Sequence, residues 1–486
     1  TQPMFNMGGM DFVQMAPHDR LPVRRYNFSV NHVYKLGSGW QLRNTVFAYT
    51  TSRNFQRQNF SMSDFDNNGN LIKPNDFNGV IWGDTTVKNG AVLMRNSNAH
   101  RNRQFEVAGA ESRISHEGEI FGFRNQFDAG VRYIYERANE QFVEGRTADA
   151  SAGMIRDFEI RTGQAFSAFA QDKINITRRA SVTAGIRMES YDYSRNILRG
   201  RFRINNVQTV VDTNIFANNN LLKFIPGIGA NYNINSRISI YGGIHRGFAP
   251  PRIKDAITPE GVTMELDPEL SWNSELGTRA NIKKGINAEV TLFHMIFSNQ
   301  IVPAALSIGG GGTGVVNAGP TEHKGIEGGV NLDFGKILDT KYAIRYDANV
   351  TYVDSRYAAE RLMTQGADTL NVQGNILPYA PKLFLSSALE VETPFGLGAR
   401  MVATYVGNQF TDPLNMVEPT ADGRRGEIPA YYVFDGNLFY TFKNFPATLN
   451  LAAKNLTNER YIANRRPQGI RLGMPRMIIA GIDIKF

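Results

Sequence analysis

The chain has 486 residues and no cysteine, 53 Lys+Arg against 45 Asp+Glu for a formal charge of +8, and 42% hydrophobic residues, with no composition shift sharp enough to divide it into domains. The absent thiols exclude disulfides, thiol nucleophiles and cysteine-ligated zinc or iron–sulfur centres. No run of 18 or more apolar residues offers a transmembrane helix, so the chain either stays in water or enters a membrane with strands. The abundance of Gly, Phe and Tyr with a negative mean hydropathy suits one large all-β domain of many strands.

In chain order, the first strand is predicted from about Arg24 to Leu36, running into the tight turn Gly37-Ser38-Gly39. That places residues 1–23 at the far end of the strand, among the long connections. Asp64-Phe65-Asp66-Asn67-Asn68-Gly69 resembles the opening of a calcium loop, with Asp64, Asp66 and Asn68 as the first ligands. Its twelfth position is Asn75 rather than a bidentate Glu and no helix flanks it, so it reads as an Asn-Gly turn. Alternation follows at 182–188, where Ala184, Ile186 and Met188 oppose Thr183, Gly185 and Arg187. Gly309 to Gly314 is a loop tip and no phosphate loop, because no Gly-Lys-Ser/Thr follows it. At 448–454 Leu449, Leu451 and Ala453 share one face, and in the last segment Ile478, Ala480, Ile482, Ile484 and Phe486 share one. One face suits hydrocarbon and the other tolerates charge.

The connections alternate between short and long. Short polar turns recur at Glu117-Gly118, Thr177-Arg178-Arg179, Asn235-Ser236, Lys283-Lys284-Gly285 and Asn444-Phe445-Pro446. Between them lie long polar segments at about 53–100, 138–156, 195–219, 247–268, 303–322, 356–376, 411–427 and 461–472. Turns at one end and a canopy at the other define a transmembrane antiparallel β-barrel with short periplasmic turns and long extracellular loops. The pattern gives about 17 strands. A bacterial barrel normally has an even number, so the odd count points to strands beyond this sequence.

The C-terminal stretch from Leu449, with Asn455-Leu456-Thr457-Asn458, Tyr461, Gly473-Met474-Pro475-Arg476 and Phe486, resembles the closing hairpin of the TonB-dependent outer-membrane receptors, in the ferric citrate and siderophore receptor branch. Further matches are IHRGFAPPRIKDAI from Ile244, ELSWNSELGTRA from Glu269, HKGIEGGVNLDF from His323, LPYAPK from Leu377 and AFAQDKINIT from Ala168. The resemblance implies a 22-stranded barrel in the bacterial outer membrane, of which residues 1–486 would be an N-terminally incomplete portion lacking the plug and TonB box. It also implies active transport of a ferric chelate energised through TonB, with no bond made or broken and therefore no enzyme. The implied partners are TonB, the chelate, outer-membrane lipid and lipopolysaccharide, and the barrel assembly machinery; nucleic acid is not among them. Iron would travel as part of the chelate, so no resident cofactor is implied. Other cargo (cobalamin, haem, peptide or carbohydrate) or a plug-less structural scaffold remain as alternatives.

Within that reading, the pairs Arg424-Arg425 and Arg465-Arg466 fall in the last two long loops, which barrel closure makes neighbours. Four converging guanidinium groups would suit an anionic ferric chelate; the alternative is a pair of solvated loops touching anionic lipopolysaccharide at the rim. Arg252, where the chain leaves a strand on the loop side, and Asn408 and Gln409, at the top of another, are further candidate ligand contacts. Arg246 is expected to pair with carboxylates in the wall. Phe486, the terminal aromatic on an amphipathic strand, is the expected outer-membrane assembly signal. Trp40, Tyr34, Tyr191, Tyr346, Tyr352, Tyr431, Tyr432 and Tyr440 are expected in an interfacial aromatic girdle. The seven histidines show no metal-ligand spacing and no catalytic triad can be read from local spacing.

Overall fold

The computed structural model describes residues 2–6, 16–263, 267–303, 315–317, 319–365, 368–465 and 469–485. Phe486, Arg466 and the glycine tip at 309–314 lie outside the described residues.

The strands of the first half are β1 (Val23–Gly37), β2 (Trp40–Met62), β3 (Phe77–Gly83), β4 (Ala91–Ile120), β5 (Phe123–Gly145), β6 (Met154–Asn175), β7 (Ala180–Ile204) and β8 (Val207–Asn233). Then come β9 (Ile238–Ala249), β10 (Glu269–Lys283), β11 (Ile286–Ser298), β12 (Ile301–Pro303), β13 (Val315–Asn317), β14 (Thr321–Asp333) and β15 (Ala343–Tyr357). The last are β16 (Leu362–Gln365), β17 (Asp368–Asn371), β18 (Leu383–Glu392), β19 (Leu397–Val406), β20 (Tyr431–Thr441), β21 (Ala447–Lys454), β22 (Ile462–Asn464), β23 (Arg471–Leu472) and β24 (Met477–Ile484). Among the described residues there are three short helices, α1 (Gln2–Asn6) ahead of β1, and α2 (Ile253–Ala256) and α3 (Phe334–Ile337) between strands.

Among the described residues eighteen strands form one sheet, in which β3 pairs with the far end of β4. The other seventeen make an uninterrupted antiparallel meander in which each strand pairs with the next, from β1 with β2 and β2 with β4 through to β21 with β24. Among the described residues three two-stranded ribbons, β12–β13, β16–β17 and β22–β23, stand in the long connections. Residues 2–6 and 16–22 lie at the long-loop end, the former against Arg465 and the latter beside Gln56.

The short turns use backbone that few residues tolerate. In Gly37-Ser38-Gly39 all three φ values are positive, at 92°, 49° and 80°. A Cβ on Gly39 would meet the Glu117 carbonyl oxygen at 2.2 Å, so the first hairpin reverses there only because the side chain is absent.

Face assignment follows the period-2 rule. Along β8, Leu222, Phe224, Ile228 and Tyr232 are exposed while the intervening positions turn inward. Leu222 to Tyr232 covers roughly 33 Å of strand, or roughly 23 Å of height at a tilt near 45°, which matches an apolar band about 25 Å tall. The inner face carries paired charges instead: Arg113 with Asp128 (2.8 Å), Arg279 with Glu289 (3.1 Å), and Glu390 between Arg345 (2.7 Å) and Arg400 (3.5 Å). A chain with hydrocarbon outside and ion pairs inside needs no positive mean hydropathy.

Three expected loops are mainly strand: within 53–100, residues 53–62 and 91–100 belong to β2 and β4 and Phe77–Gly83 is β3. Residues 138–145 complete β5, and 195–204 with 207–219 are β7 and β8 joined by the two-residue turn Asn205-Asn206, with φ of 49° and 64°. These ends stand above the apolar band, where outward positions no longer meet hydrocarbon and inward ones include buried ionic groups; ladder pairing persists but the hydrophobic alternation that marks a strand is lost. The girdle is also partly reassigned. Tyr346, Tyr352 and Tyr432 lie on the outer face, but Tyr191 turns inward and donates to Glu136 Oε1 at 2.6 Å. Tyr431 stacks on Tyr461 with centroids 4.2 Å apart. Among the described residues Arg246 forms no ion pair with a carboxylate; it lies over the Trp272 ring, 5.4 Å from its centroid.

Candidate functional site

At the long-loop end, the connections after β15, β19 and β21 pack into a single raft. The segment after β15 gathers a small core of Tyr357, Met363, Val372 and Leu377 against Leu414 of the next connection. Polar contacts lock the two: Asn375 Nδ2 donates to the Pro413 carbonyl at 2.9 Å, and Asn415 Nδ2 donates to the Ile376 carbonyl at 2.8 Å. A second core of Ile428, Ile462 and Ile470 joins the last two connections, with Phe5 of α1, Tyr379 and Leu472 against it.

The predicted residues fall into this raft with differing roles. Gln409 is buried and bridges to Ile428 through its backbone in both directions, at 3.1 and 2.8 Å. Asn408 donates to Glu427 Oε1. Arg424 sits beside Asp422, Nε to Oδ2 at 3.9 Å, and Arg425 donates its backbone N–H to Thr420 Oγ1 at 3.1 Å. Arg465 does meet the Arg424-Arg425 loop, but as a buried clamp rather than an open fork. It is 1% exposed and donates to the Gly423 carbonyl (3.2 Å), the Glu427 carbonyl (2.9 Å) and Gln2 Oε1 (2.7 Å). Burial pushes its pKa down, opposed by Tyr379, and a guanidinium remains charged nonetheless. Arg252 lies elsewhere, at the start of α2, where it pairs with Asp255 and is largely exposed. The Asp64 to Asn70 segment closes on itself: Asp66 Oδ1 accepts the N–H groups of Asn68 (2.9 Å) and Asn70 (2.8 Å), and Lys88 pairs with Asp64 at 2.9 Å. That is the hydrogen-bonding pattern of an Asx turn.

A further constellation, missed by the sequence reading, lies on the inner face of β4 to β7 above the apolar band. Glu140 Oε1 accepts from Arg103 (2.9 Å) and Arg101 (3.2 Å), and its Oε2 accepts from Arg161 (3.0 Å). Arg161 also reaches Glu159, whose other oxygen is gripped by Arg195 through Nε at 2.8 Å and through Nη2. Arg195 in turn donates to the carbonyls of Lys254 and Ile257, which pins α2 against Tyr193 and Leu221 inside the wall. Lys254 Nζ lies 4.0 Å from Glu140.

Five cations therefore surround two carboxylates, with Glu136 the next acid below. Burial works to raise the Glu140 pKa, but the bonds from Arg103 and Arg161 and the nearby Lys254 outweigh it and hold the group at about 2. Burial pushes Lys254 down, opposed by Glu140 and Glu159. The Arg103 Nε–H is buried without a partner among the described residues. Such a wall can accept an anion carrying several carboxylates, since positive charge is in excess and forked donors are preset by their neighbours. Alternating Arg and Glu on the inner face of consecutive strands was the available signal, but it becomes visible only once register is known.

The family model described as TonB dependent receptor-like, beta-barrel matches residues 7–456. The chain belongs to the TonB-dependent receptor β-barrel family, whose members are outer-membrane transporters and not enzymes. Solved structures of similar fold include the ferric citrate transporter FecA in its unliganded form, at 20% identity and a TM-score of 0.69, covering 97% of this chain and 62% of that one. The ferric-catecholate import receptor Fiu from E. coli K12 is similar at 14% identity and a TM-score of 0.70, covering 97% and 65%. The copper transporter OprC is similar at 12% identity and a TM-score of 0.67, covering 96% and 66%. The chain thus spans just under two thirds of the length of each of these relatives. The long-loop end is the extracellular one, and the turns face the periplasm.

Proposed function

We propose that the complete protein is an outer-membrane active-transport receptor for a ferric siderophore or ferric citrate-like chelate, energised through TonB. The observation that carries this reading is the excess of cations over carboxylates on the inner wall below the mouth, centred on Arg101, Arg103, Arg161, Arg195 and Lys254 around Glu140 and Glu159. A ferric tricarboxylate is anionic and presents peripheral oxygens, which guanidinium forks bind in pairs. Its iron arrives already ligated, so the protein has to recognise the chelator and not the metal.

In this reading Arg252, Arg424 and Arg425, with Asn408 and Gln409, contact the chelate from the loops, and Arg465 with Arg466 holds or completes that contact. Arg101 and Arg103 receive it on the wall. Removing one charge-assisted contact costs about 1.5–3 kcal/mol, so Arg101→Gln with Arg103→Gln is expected to weaken ferric citrate binding at least tenfold. Equilibrium binding by intrinsic fluorescence reads the effect. Unchanged affinity in a folded double variant would remove the wall from the site. A neutral or cationic cargo bound better by the variant than by the parent would favour the same family with different cargo, and a protein that binds no small molecule would favour the scaffold reading.

A further inference from the structure

The periplasmic end carries a feature apart from the candidate site. On the outer face the apolar series continues to the last residue of the strands and into the turns. Phe121, at 96% exposure, stands at the tip of one hairpin, and Ile176, Ile234, Ile282, Phe395 and Phe445 are exposed in or beside others. Ile176, Ile234 and Ile282 continue the even-numbered, lipid-facing positions of β6, β8 and β10. The hydrocarbon boundary therefore falls at the turns, and the polar residues of the turns stand at headgroup depth.

Those polar residues are mainly basic. Arg178 and Arg179 follow Ile176, Lys283 follows Ile282, Lys341 precedes the exposed Tyr342, and Lys443 lies between Phe442 and Phe445. These five side chains are exposed and form no ion pair among the described residues. The acids of the same turns are already engaged where a Lys can reach them, Asp333 by Lys336 at 2.8 Å and Asp339 by Lys284 at 3.7 Å.

We propose that this rim binds the anionic headgroups of phospholipids in the periplasmic leaflet of the outer membrane. Each cation stands beside an outward apolar group, so a headgroup phosphate can reach the charge while its acyl chains cover the neighbouring ring or branched side chain. Successive hairpin ends are roughly 10 Å apart along the rim, a spacing that gives each its own lipids. An acidic protein would need the charges gathered on one side.

The test reconstitutes the protein in nanodiscs of equal phosphatidylcholine and phosphatidylglycerol and counts the lipids retained on mild detergent release by native mass spectrometry. Phosphatidylglycerol is expected to be retained roughly fivefold over phosphatidylcholine at low salt, falling toward parity at about 0.5 M NaCl. Combined Arg178→Gln, Arg179→Gln, Lys283→Gln, Lys341→Gln and Lys443→Gln substitutions are expected to abolish the preference in a protein that still runs as a heat-modifiable barrel. If that variant does not fold, pairwise variants and the salt dependence of the parent decide the matter. Equal retention of the two lipids by the parent, or a preference that survives the folded variant, overturns the proposal.

Discussion

Glu140 and Arg465 show how differently two buried ionic side chains can act. Glu140 accepts from three arginines on the inner wall, and its pKa of about 2 lies below its ordinary 4.5. A carboxylate depressed in this way adds stability that is complete above the unfolded value near 4.5 and is lost as pH falls toward 2. Glu140→Gln should therefore lower stability at pH 7 by about 1–2 kcal/mol, discounted for partial solvent access, and flatten the acid limb of the stability curve. Urea unfolding in detergent at pH 7, 4 and 2.5 reads this directly; an unchanged acid limb would show that the arginines do not depend on Glu140. Arg465 spends its donors on two loop carbonyls and Gln2, so Arg465→Ala should loosen the raft without dissolving the sheet. Faster hydrogen exchange confined to residues 411–428 and 460–465 is expected, while the β18 to β21 amides stay protected.

At the scale of elements, the same alternation that makes a strand legible also limits the reading. β8 between Leu222 and Tyr232 could be recognised because every second residue meets hydrocarbon. Phe224→Arg there should reduce folding into vesicles by about 2–4 kcal/mol, an effect that Asn218→Arg, above the band, should not share. The upper parts of β5, β7 and β8 do not read as strands because their outward positions no longer need hydrocarbon and their inward ones include buried ionic groups, although the backbone ladder continues through the Asn205-Asn206 turn. The loop arginines were legible as residue types, but burial of Arg465 against Gly423 and Glu427 depends on how three connections pack, which local sequence does not record. The same holds for α2. Arg195 holds its C-terminal carbonyls, so Arg195→Gln should free residues 250–262, read as new protease sensitivity in that segment alone.

For the whole molecule, seventeen consecutive antiparallel strands with short turns at one end were foreseeable from spacing and composition, and the family match over residues 7–456 agrees. The wall constellation was not, because Arg101, Glu140, Arg161 and Arg195 are separated by tens of residues and meet only through register. The central claim concerns what that constellation and the loop raft receive. Competition binding to the folded protein with ferric citrate, a ferric hydroxamate, a ferric catecholate, cobalamin and haem tests it most directly. The account predicts that an anionic ferric chelate binds tightest, with affinity that falls as salt rises. Binding of cobalamin or haem in preference to every ferric chelate, or no binding of any ferric chelate, would contradict it.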